Sequence, residues 1–294
     1  MRIVEHVVTA LEAGRTVKSI ALKEMRLSRS QFSHLKFAGG IRADGKRVHA
    51  DERLSAGQRL TAQINETEGK QGLTPYAMPL RMVYEDEDYF VIDKPAPLPT
   101  LCSSHQEGPT LENVLYAHLG CPGNFLFRPV NRLDKGTSGL MAAAKNAHAQ
   151  QLLQRQLHSD AFVREYLAVC RGRMPQASGV IDRPIGKSAS GVKREIRPDG
   201  QRAVTHYQVE REGKGLSLVR LRLETGRTHQ IRVHLSSLGC PIVGDYVYGA
   251  ADTRLPGRFA LHACRVDFLH PVSGTWVRVE SPLPKELFDL WSQT

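Results

Sequence analysis

Two short helices are predicted near the start of the chain from the spacing of its apolar residues. These residues recur every three to four positions, as on one face of a helix, at Val17, Ile20, Ala21 and Met25. A second helix is predicted to begin at Ser28 or Ser30, because a serine hydroxyl can accept a hydrogen bond from a free backbone N–H of the first turn. It is predicted to end at Gly39-Gly40, since glycine adopts the left-handed conformation without a steric penalty.

A tight turn between two extended runs follows these glycines. Asp44-Gly45 separates Ile41–Ala43 from Lys46–Val48, and Asp-Gly favours a type I′ hairpin, in which both central residues take positive φ. The order of helix, helix and hairpin predicts a small α/β module over residues 1–65. The polar stretch 66–79, with two glycines and two prolines, is predicted to be a linker.

Residues 80–294 begin with two predicted strands. Apolar runs at 81–84 and 89–93 flank an acidic turn, which is typical of a strand pair. Thr110 is suited to cap a helix that runs to about Leu119. Asn146 is predicted to cap another helix, whose inner face comprises the apolar residues Ala149, Leu152, Leu153 and Leu157.

Alternation of apolar and polar residues predicts further strands between Leu216 and Leu235. Leu221 and Leu223 alternate with charged neighbours, and beyond a Thr-Gly turn the pattern continues. There the apolar positions Ile231, Val233 and Leu235 alternate with Gln230, Arg232 and His234. We expect a meander with polar side chains along one face. The predicted fold class is α+β, with a mostly antiparallel or mixed β-sheet and flanking helices in residues 80–294.

Composition limits the class of protein. The chain has 294 residues, 41% hydrophobic and 24% charged, which is ordinary globular usage and suits about two domains. No apolar window approaches the roughly 18 residues of a membrane span, and Glu5 and His6 interrupt the stretch that would be apolar in a secretion signal. The five cysteines are scattered, without Cys-x-x-Cys, which favours reduced thiols over a disulfide framework or a zinc site. A soluble cytoplasmic protein is expected.

The net charge of +10 points to an anionic partner, and for a cytoplasmic protein nucleic acid is the leading candidate. Residues 1–72 carry 13 Lys and Arg against 8 Asp and Glu, which is half of the excess. A basic enzyme that contacts no nucleic acid is the alternative.

Candidate chemistry concentrates in Arg128–Leu140. This turn-rich segment places Asp134 between Arg132 and Lys135 and just before Gly-Thr-Ser-Gly. Such a backbone exposes a carboxylate rather than burying it in a regular element. The flanking cations should lower the pKa of Asp134 and keep it ionised, which suits a nucleophile or a base. An ordinary Asp turn is the alternative interpretation.

Asn131–Gly139 resembles the active-site motif of the RluA-type pseudouridine synthases. Other segments resemble further motifs of that family, in family order: Val91–Pro95, Arg164–Ala168, Gly200–Tyr207, Leu223–Leu235, Gly239–Asp245, Leu261–Ala263 and Phe268–Pro271. The resemblance implies isomerisation of uridine to pseudouridine in RNA. Because nothing is oxidised and no group leaves, no metal and no organic cofactor is expected.

The resemblance also implies roles for single residues. Asp134 is the catalytic carboxylate, which attacks the sugar or the base, or abstracts a sugar proton, while the detached uracil is held in place. Arg227 matches the family arginine that pairs with this carboxylate; a surface arginine is the alternative. Tyr166 matches the tyrosine that stacks on the target base and could pass a proton, with a core tyrosine as the alternative. The base must flip out of the RNA stack, and Arg132 is implied to fill the gap or to contact a phosphate.

Residues 1–65 resemble the S-four-type RNA-binding module of ribosomal proteins, through Ser28–Ser30 and Gly40–Lys46. The resemblance implies that Arg29, Lys36 and Arg42 contact phosphates without reading sequence; a solvated basic face is the alternative. The module favours ribosomal RNA over transfer RNA as substrate, and a monomer is expected.

Two positions depart from the family pattern. Asn131 stands where His is frequent, and Arg164 stands where Lys is frequent. We expect the first change to alter hydrogen bonding in the loop and the second to keep the positive charge.

Other functions were weighed on the same residues. A serine hydrolase fails because glycine directly follows Ser138, unlike in G-x-S-x-G. A metal site at His229 and His234 fails because an offset of five in a strand places them on opposite faces. A nucleosidase stays open and would release free uracil. A non-catalytic RNA-binding or ribosome-assembly protein with the same fold is the remaining alternative.

Overall fold

The computed structural model describes residues 2–64, 69, 72–102, 108–189, 191 and 193–292. Contacts divide the chain into two compact units. The small unit comprises Met1–Gln71 together with Gly123–Leu126 and Asn146–Leu152, and the large unit comprises the remainder. Much of the predicted linker, at 66–68 and 70–71, lies outside the described residues. The domain boundaries at 65 and 80 stay predictions.

The small unit combines one antiparallel sheet with two helices. The strands are β1 (Arg2–Val7), β2 (Ile41–Ala43), β3 (Lys46–Arg47) and β4 (Arg59–Ile64), and the helices are α1 (Val17–Lys23) and α2 (Arg29–Ala38). The strand order is β1-β4-β2-β3. A shared core, with Ile20, Phe32, Leu35 and Leu60 almost inaccessible to solvent, holds the two layers together.

Both ends of α2 confirm the sequence prediction. The Ser28 side chain accepts a hydrogen bond from the Gln31 N–H at 3.0 Å, and the Gln31 side chain accepts one from the Ser28 N–H. This reciprocal capping box satisfies two donors that a bare helix start would leave free. Gly39 ends the helix at φ +70°. The hairpin between β2 and β3 also forms as predicted, with φ of +47° at Asp44 and +79° at Gly45.

The large unit is built on a mixed sheet. Its strands are β5 (Arg81–Glu85), β6 (Tyr89–Lys94), β7 (Arg128–Pro129), β8 (Ser138–Ala144), β9 (Phe162–Arg171), β10 (Ser178–Asp182), β13 (Val204–Gly213), β14 (Leu216–Leu223), β15 (Leu261–Leu269) and β16 (Trp276–Glu280). The strand order is β10-β13-β14-β9-β15-β8-β6-β5, and β7 pairs with β8 while β16 pairs with β15. Among these described strands only β8 and β15 pair in parallel. A separate hairpin is formed by β11 (Ile185–Lys187) and β12 (Arg194–Ile196). The predicted α+β class with a mostly antiparallel or mixed sheet is confirmed.

The helices after β6 are α3 (Leu111–His118), α4 (Ala147–Gln154), α5 (Gln230–Ser237) and α6 (Lys285–Ser292). Thr110 stands at the N-cap of α3 as predicted. The Asn146 side chain accepts a hydrogen bond from the Ala149 N–H at 2.8 Å and caps α4. That helix ends at Gln154, so Leu157 is not on its inner face.

The strand predicted through Ile231, Val233 and Leu235 is wrong, because Gln230–Ser237 is helix α5. The alternation misled because the polar residues between the apolar ones are also buried. Each of Gln230, Arg232 and His234 is satisfied by a tertiary hydrogen bond rather than by solvent. Polarity therefore did not report exposure here. The strand-based argument against a His229–His234 metal site loses its premise, although five residues along a helix also separate side chains by about 140°.

Two further findings concern membrane spans and cysteines. No described helix is long and apolar enough to cross a bilayer. All five cysteines are free thiols, and Cys170, Cys240 and Cys264 are buried.

Candidate active site

A cavity of about 710 Å³ lies in the large unit around Asp134, within the size range of small-molecule sites. Its lining includes the loop after β7, strand β9 and the turn that leads into α5. Its charged and aromatic lining includes Arg132, Asp134, Tyr166, Arg227, His229 and Arg232. The structure thus brings the predicted catalytic residues to one cavity.

The loop that carries Asp134 is held by its own backbone. The Thr137 N–H donates to the Asp134 carbonyl at 3.1 Å, and the Leu98 N–H donates to the Lys135 carbonyl at 2.9 Å. The Thr100 hydroxyl donates to the Leu133 carbonyl at 2.8 Å. Bonds on both sides of Asp134 fix the direction of its side chain, as a reacting group requires.

Gly139 explains why glycine follows Ser138 in the motif. It has φ of +107°, and a Cβ there would lie 2.2 Å from the Ala263 carbonyl oxygen on β15. The close approach of β8 and β15, the parallel pair of the sheet, therefore requires a residue without a side chain.

A fully buried lysine, Lys94, supports the segment that is hydrogen-bonded to this loop. Lys94, at the end of β6, donates to the carbonyls of Pro95 at 3.0 Å and Leu98 at 2.7 Å. Burial lowers the pKa of Lys94 to about 7, although the nearby Asp134 charge opposes that change. In the sequence, Lys94 is one residue of a family-like motif. In the structure, it holds the segment whose Leu98 N–H donates to the Asp134 loop.

Arg232 on α5 is the ion-pair partner of Asp134, with Nη1 3.1 Å from Oδ2. The rest of its guanidinium donates to Asp245, from Nε at 2.7 Å and from Nη2 at 2.9 Å. Burial disfavours the charge, but the hydrogen bond and charge of Asp245 and the charge of Asp134 together raise the pKa of Arg232. The ring of Phe259 lies 4.3 Å from the guanidinium carbon. The arginine is thus charged and locked between two carboxylates.

The predicted pairing of Arg227 with Asp134 is wrong. The Nε of Arg227 donates to the Arg202 carbonyl at 3.0 Å, and its backbone N–H donates to the Gln230 side chain at 2.9 Å. The residue lies in the turn before α5, whereas Arg232 lies inside the helix, and only the latter is directed at the carboxylate. Arg227 still lines the cavity.

Tyr166 is only 5% exposed and lines the cavity from β9. Burial raises the pKa of its phenol, while the adjacent Arg164 lowers it less. The hydroxyl is therefore protonated at neutral pH and presents a ring and a polar tip to the site.

The cations that flank Asp134 in the sequence form no ion pair with it among the described contacts. Arg132 and Lys135 are exposed. Among the described residues, the ion-pair partner of Asp134 is Arg232, and Nε2 of His229 lies 4.0 Å from Oδ2. The cation that pairs with Asp134 is therefore a buried arginine from another element rather than a neighbour in the sequence.

The two departures from the family pattern are both buried. The Asn131 side-chain oxygen accepts a hydrogen bond from the Ala142 N–H at 2.9 Å, which fixes the loop to β8. Arg164 is 5% exposed and donates to the Leu157 carbonyl at 3.0 Å. Burial lowers the pKa of Arg164.

Three residues predicted to bind RNA lie in the small unit. Arg29 and Lys36 are exposed on α2, seven positions and therefore two turns apart, which places them on one face. Arg42 is exposed on β2, and its guanidinium donates to the Gly45 carbonyl at 3.2 Å.

Sequence reasoning missed Asp245, His229 and Tyr248 as site residues. Asp245 is fully buried and receives two bonds from Arg232. The ring of His229 contacts the Tyr248 hydroxyl, with Nδ1 2.8 Å from the oxygen. The sequence motif contains His229, but the motif alone does not show that this residue stands at the start of a helix.

Comparison with known proteins agrees with this geometry. Residues 88–237 match the model of the RNA pseudouridylate synthase family. An uncharacterized RNA pseudouridine synthase of Bacillus subtilis, YjbO, is 36% identical over 278 residues, which cover 94% of this chain and 98% of the relative. The ribosomal large subunit pseudouridine synthase D of Xanthomonas campestris is 38% identical, over 95% of this chain and 89% of the relative.

A solved structure shows the same fold. Human RNA pseudouridylate synthase domain containing 1 has a TM-score of 0.57 and 28% identity, covering 69% of this chain and 83% of that one. The family model and these relatives define the class of protein as an RNA-modifying isomerase. The chain belongs to the RNA pseudouridylate synthase family and isomerises uridine to pseudouridine in RNA.

Proposed function

We propose that the substrate is ribosomal RNA and that Asp134 is the carboxylate that performs the isomerisation. The relative from Xanthomonas campestris is named for the large ribosomal subunit. The observation that carries the catalytic assignment is the chain of ion pairs from Asp134 to Arg232 to Asp245, which ends in the cavity. Asp134 is its terminal carboxylate, 30% exposed and therefore reachable by substrate, whereas Asp245 is sealed.

The reaction requires one reactive group and a way to retain the base. The bond from C1′ of the ribose to N1 of uracil breaks, the base turns, and a bond forms from C1′ to C5; the proton displaced from C5 is balanced by one gained at N1. Asp134 can act on the sugar or the base, or remove a sugar proton. Arg232 orients the carboxylate in each case through its 3.1 Å hydrogen bond to Oδ2. The cavity retains the uracil between the two bond changes.

Tyr166 supplies the face against which the flipped base rests. A base–aromatic contact contributes about 1–3 kcal/mol, which offsets part of the few kcal/mol that unstacking costs. Its protonated hydroxyl is also available to exchange a proton with the base.

Arg132 and Arg227 are assigned to RNA contact rather than to chemistry. Arg132 is exposed at the cavity, which suits insertion into the gap left by the flipped base or contact with a phosphate. Arg227 lines the same cavity without an ion pair to a described carboxylate, which suits a phosphate partner.

The module over residues 1–65 is assigned to RNA binding of the S-four type. Arg29, Lys36 and Arg42 are exposed and supply charge for phosphates without reading sequence. We further propose that the enzyme is cytoplasmic and acts as a monomer. It uses no metal, since the isomerisation exchanges no electrons and releases no group.

The test of this function is release of tritium from C5 of uracil. Unmodified ribosomal RNA transcripts labelled at that carbon are incubated with the purified full-length protein and with Asp134→Asn. Wild type should release tritium and the variant should not, while both bind the transcript equally. Asp182→Asn, an exposed carboxylate on β10, is the matched control and should behave as wild type.

Three outcomes would each overturn the proposal or a part of it. Equal tritium release by Asp134→Asn would remove the catalytic assignment. Free uracil in the supernatant would indicate a nucleosidase. Activity on transfer RNA with none on ribosomal RNA would overturn the substrate class alone.

A further inference from the structure

His229 occupies a strained position beside the reactive carboxylate. It is the N-cap of α5 and has φ of +58° and ψ of +19°, a left-handed conformation that residues with a side chain seldom adopt. Its Nε2 lies 4.0 Å from Oδ2 of Asp134, and its side chain is 24% exposed in the cavity. Strain of this kind persists where the surroundings demand a particular side-chain direction.

Tyr248 is the hydrogen-bond partner of Nδ1 of His229. The Tyr248 oxygen accepts a hydrogen bond from the Arg194 N–H at 2.9 Å and lies 2.8 Å from Nδ1 of His229. We infer that the hydroxyl, which already accepts from Arg194, donates its proton to Nδ1. In that arrangement the imidazole proton is on Nε2.

The Nε2–H donor is therefore directed toward the reactive carboxylate but is not used by it. A separation of 4.0 Å is too long for a hydrogen bond, and Asp134 Oδ2 already accepts from Arg232. Five groups face the ring: Asp134, Arg232, Asp245, Arg194 and Tyr248. Burial lowers the pKa of His229, and the two arginines oppose the two carboxylates. The ring is neutral at pH 7 and does not form a competing ion pair with Asp134.

We propose that the neutral His229, through Nε2–H, donates a hydrogen bond to a carbonyl oxygen of the flipped uracil, and that Tyr248 is the positioning residue that holds it in this tautomer. The inference rests on the proposed function, since it assigns a donor to that substrate. Breaking the bond between C1′ and N1 leaves negative charge on the uracil ring, which its carbonyl oxygens share. A fixed donor at such an oxygen stabilises the charge before the bond to C5 forms.

The first test compares two amides at position 229. In His229→Gln the amide nitrogen takes the place of Nε2, whereas in His229→Asn it takes the place of Nδ1, and asparagine tolerates the left-handed backbone. With saturating tritiated ribosomal RNA, the Asn variant should lose about a hundredfold in single-turnover rate and Gln about tenfold or less, the loss expected for one donor at developing charge. RNA affinity should be unchanged in both.

The control for this comparison is His118→Gln, an exposed position at the end of α3, which should behave as wild type. Equal rates for the Gln and Asn variants would overturn the assignment of Nε2, and a wild-type rate in His229→Asn would overturn any role for the ring.

The second test reads the tautomer without RNA. The ¹⁵N chemical shifts of His229, assigned by difference from His229→Gln, should show a protonated Nε2 in wild type. Tyr248→Phe should shift the population toward Nδ1–H and slow the reaction, while Tyr246→Phe, whose side chain is 60% exposed, should change neither. Because Tyr248→Phe retains the ring, a merely structural role would leave the tautomer unmoved.

The outcomes separate this inference from the function on which it rests. A wild-type enzyme that releases tritium with its proton on Nδ1 would overturn the inference alone. Failure of the wild type to release tritium would overturn both.

Discussion

The two units of the chain hold their basic residues under opposite conditions. In the large unit, Arg232 is 4% exposed and bonded to two carboxylates. In the small unit, Arg29, Lys36 and Arg42 are exposed, and none forms an ion pair with a described carboxylate. Burial commits a guanidinium to one geometry, which suits the orientation of a reacting group. Exposure leaves the side chain free to follow an RNA backbone.

Replacing Arg232 should have the largest effect. Arg232→Met leaves the fully buried Asp245 without its partner, and an uncompensated buried charge destabilises a protein by about 3–5 kcal/mol. Activity should be lost as well, because Asp134 loses its ion pair. Urea unfolding and tritium release measure the two effects.

Arg227→Met is the matched variant for this experiment. This substitution should change the free energy of unfolding by no more than about 0.5 kcal/mol. Only RNA affinity should fall. Similar unfolding curves for the two variants would contradict the buried, committed role of Arg232.

Changes at Tyr166 should be intermediate. Tyr166→Leu loses the aromatic face, which weakens the contact with the base by about 1–3 kcal/mol, while Tyr166→Phe keeps that face. Single-turnover rates at limiting RNA compare them. If Phe is as slow as Leu, the hydroxyl rather than the ring is the group that matters.

Neutralising the exposed cations of the small unit should act on binding alone. The triple variant replaces Arg29, Lys36 and Arg42 with glutamine. Each lost phosphate contact should reduce the slope of log K against log salt by about 0.9, with the rate at saturating RNA unchanged. Arg278→Gln, an exposed cation on β16, is the control. An unaltered slope in the triple variant would remove the phosphate-binding role.

The smallest effect concerns the shape of the small unit rather than its charge. Ser28→Ala removes the N-cap of α2 and should cost about 1 kcal/mol in the free energy of unfolding. Ser33→Ala, exposed within the same helix, should be neutral. Amide hydrogen exchange of the first turn measures the difference, and equal protection in both variants would argue against the capping box.

Local signals made part of this architecture predictable. The limits of α2, the hairpin at Asp44-Gly45 and the N-cap of α3 each depend on one or two residues whose preferred backbone conformation is read directly from their chemistry. Asp134 was singled out as a candidate because a turn-rich segment places it between two cations. These are features that a short stretch of chain determines by itself.

The rest depends on contacts across the fold. Helix α5 was read as a strand because its buried polar residues are satisfied by partners distant in sequence, such as Asp245 for Arg232. The resemblance pointed to Arg227, whereas the arginine that contacts Asp134 is Arg232 on α5. The tautomer proposed for His229 depends on its contact with Tyr248, and no periodicity in the sequence connects these two residues.

Lys94 adds a consequence for the electrostatics beneath Asp134. With a pKa of about 7, its ammonium group titrates near neutrality, and a neutral amine still has two N–H bonds for its two carbonyl acceptors, Pro95 and Leu98. Loss of the lysine proton therefore leaves these two hydrogen bonds in place. It makes the electrostatic potential at the Asp134 carboxylate more negative, because a nearby positive charge is lost.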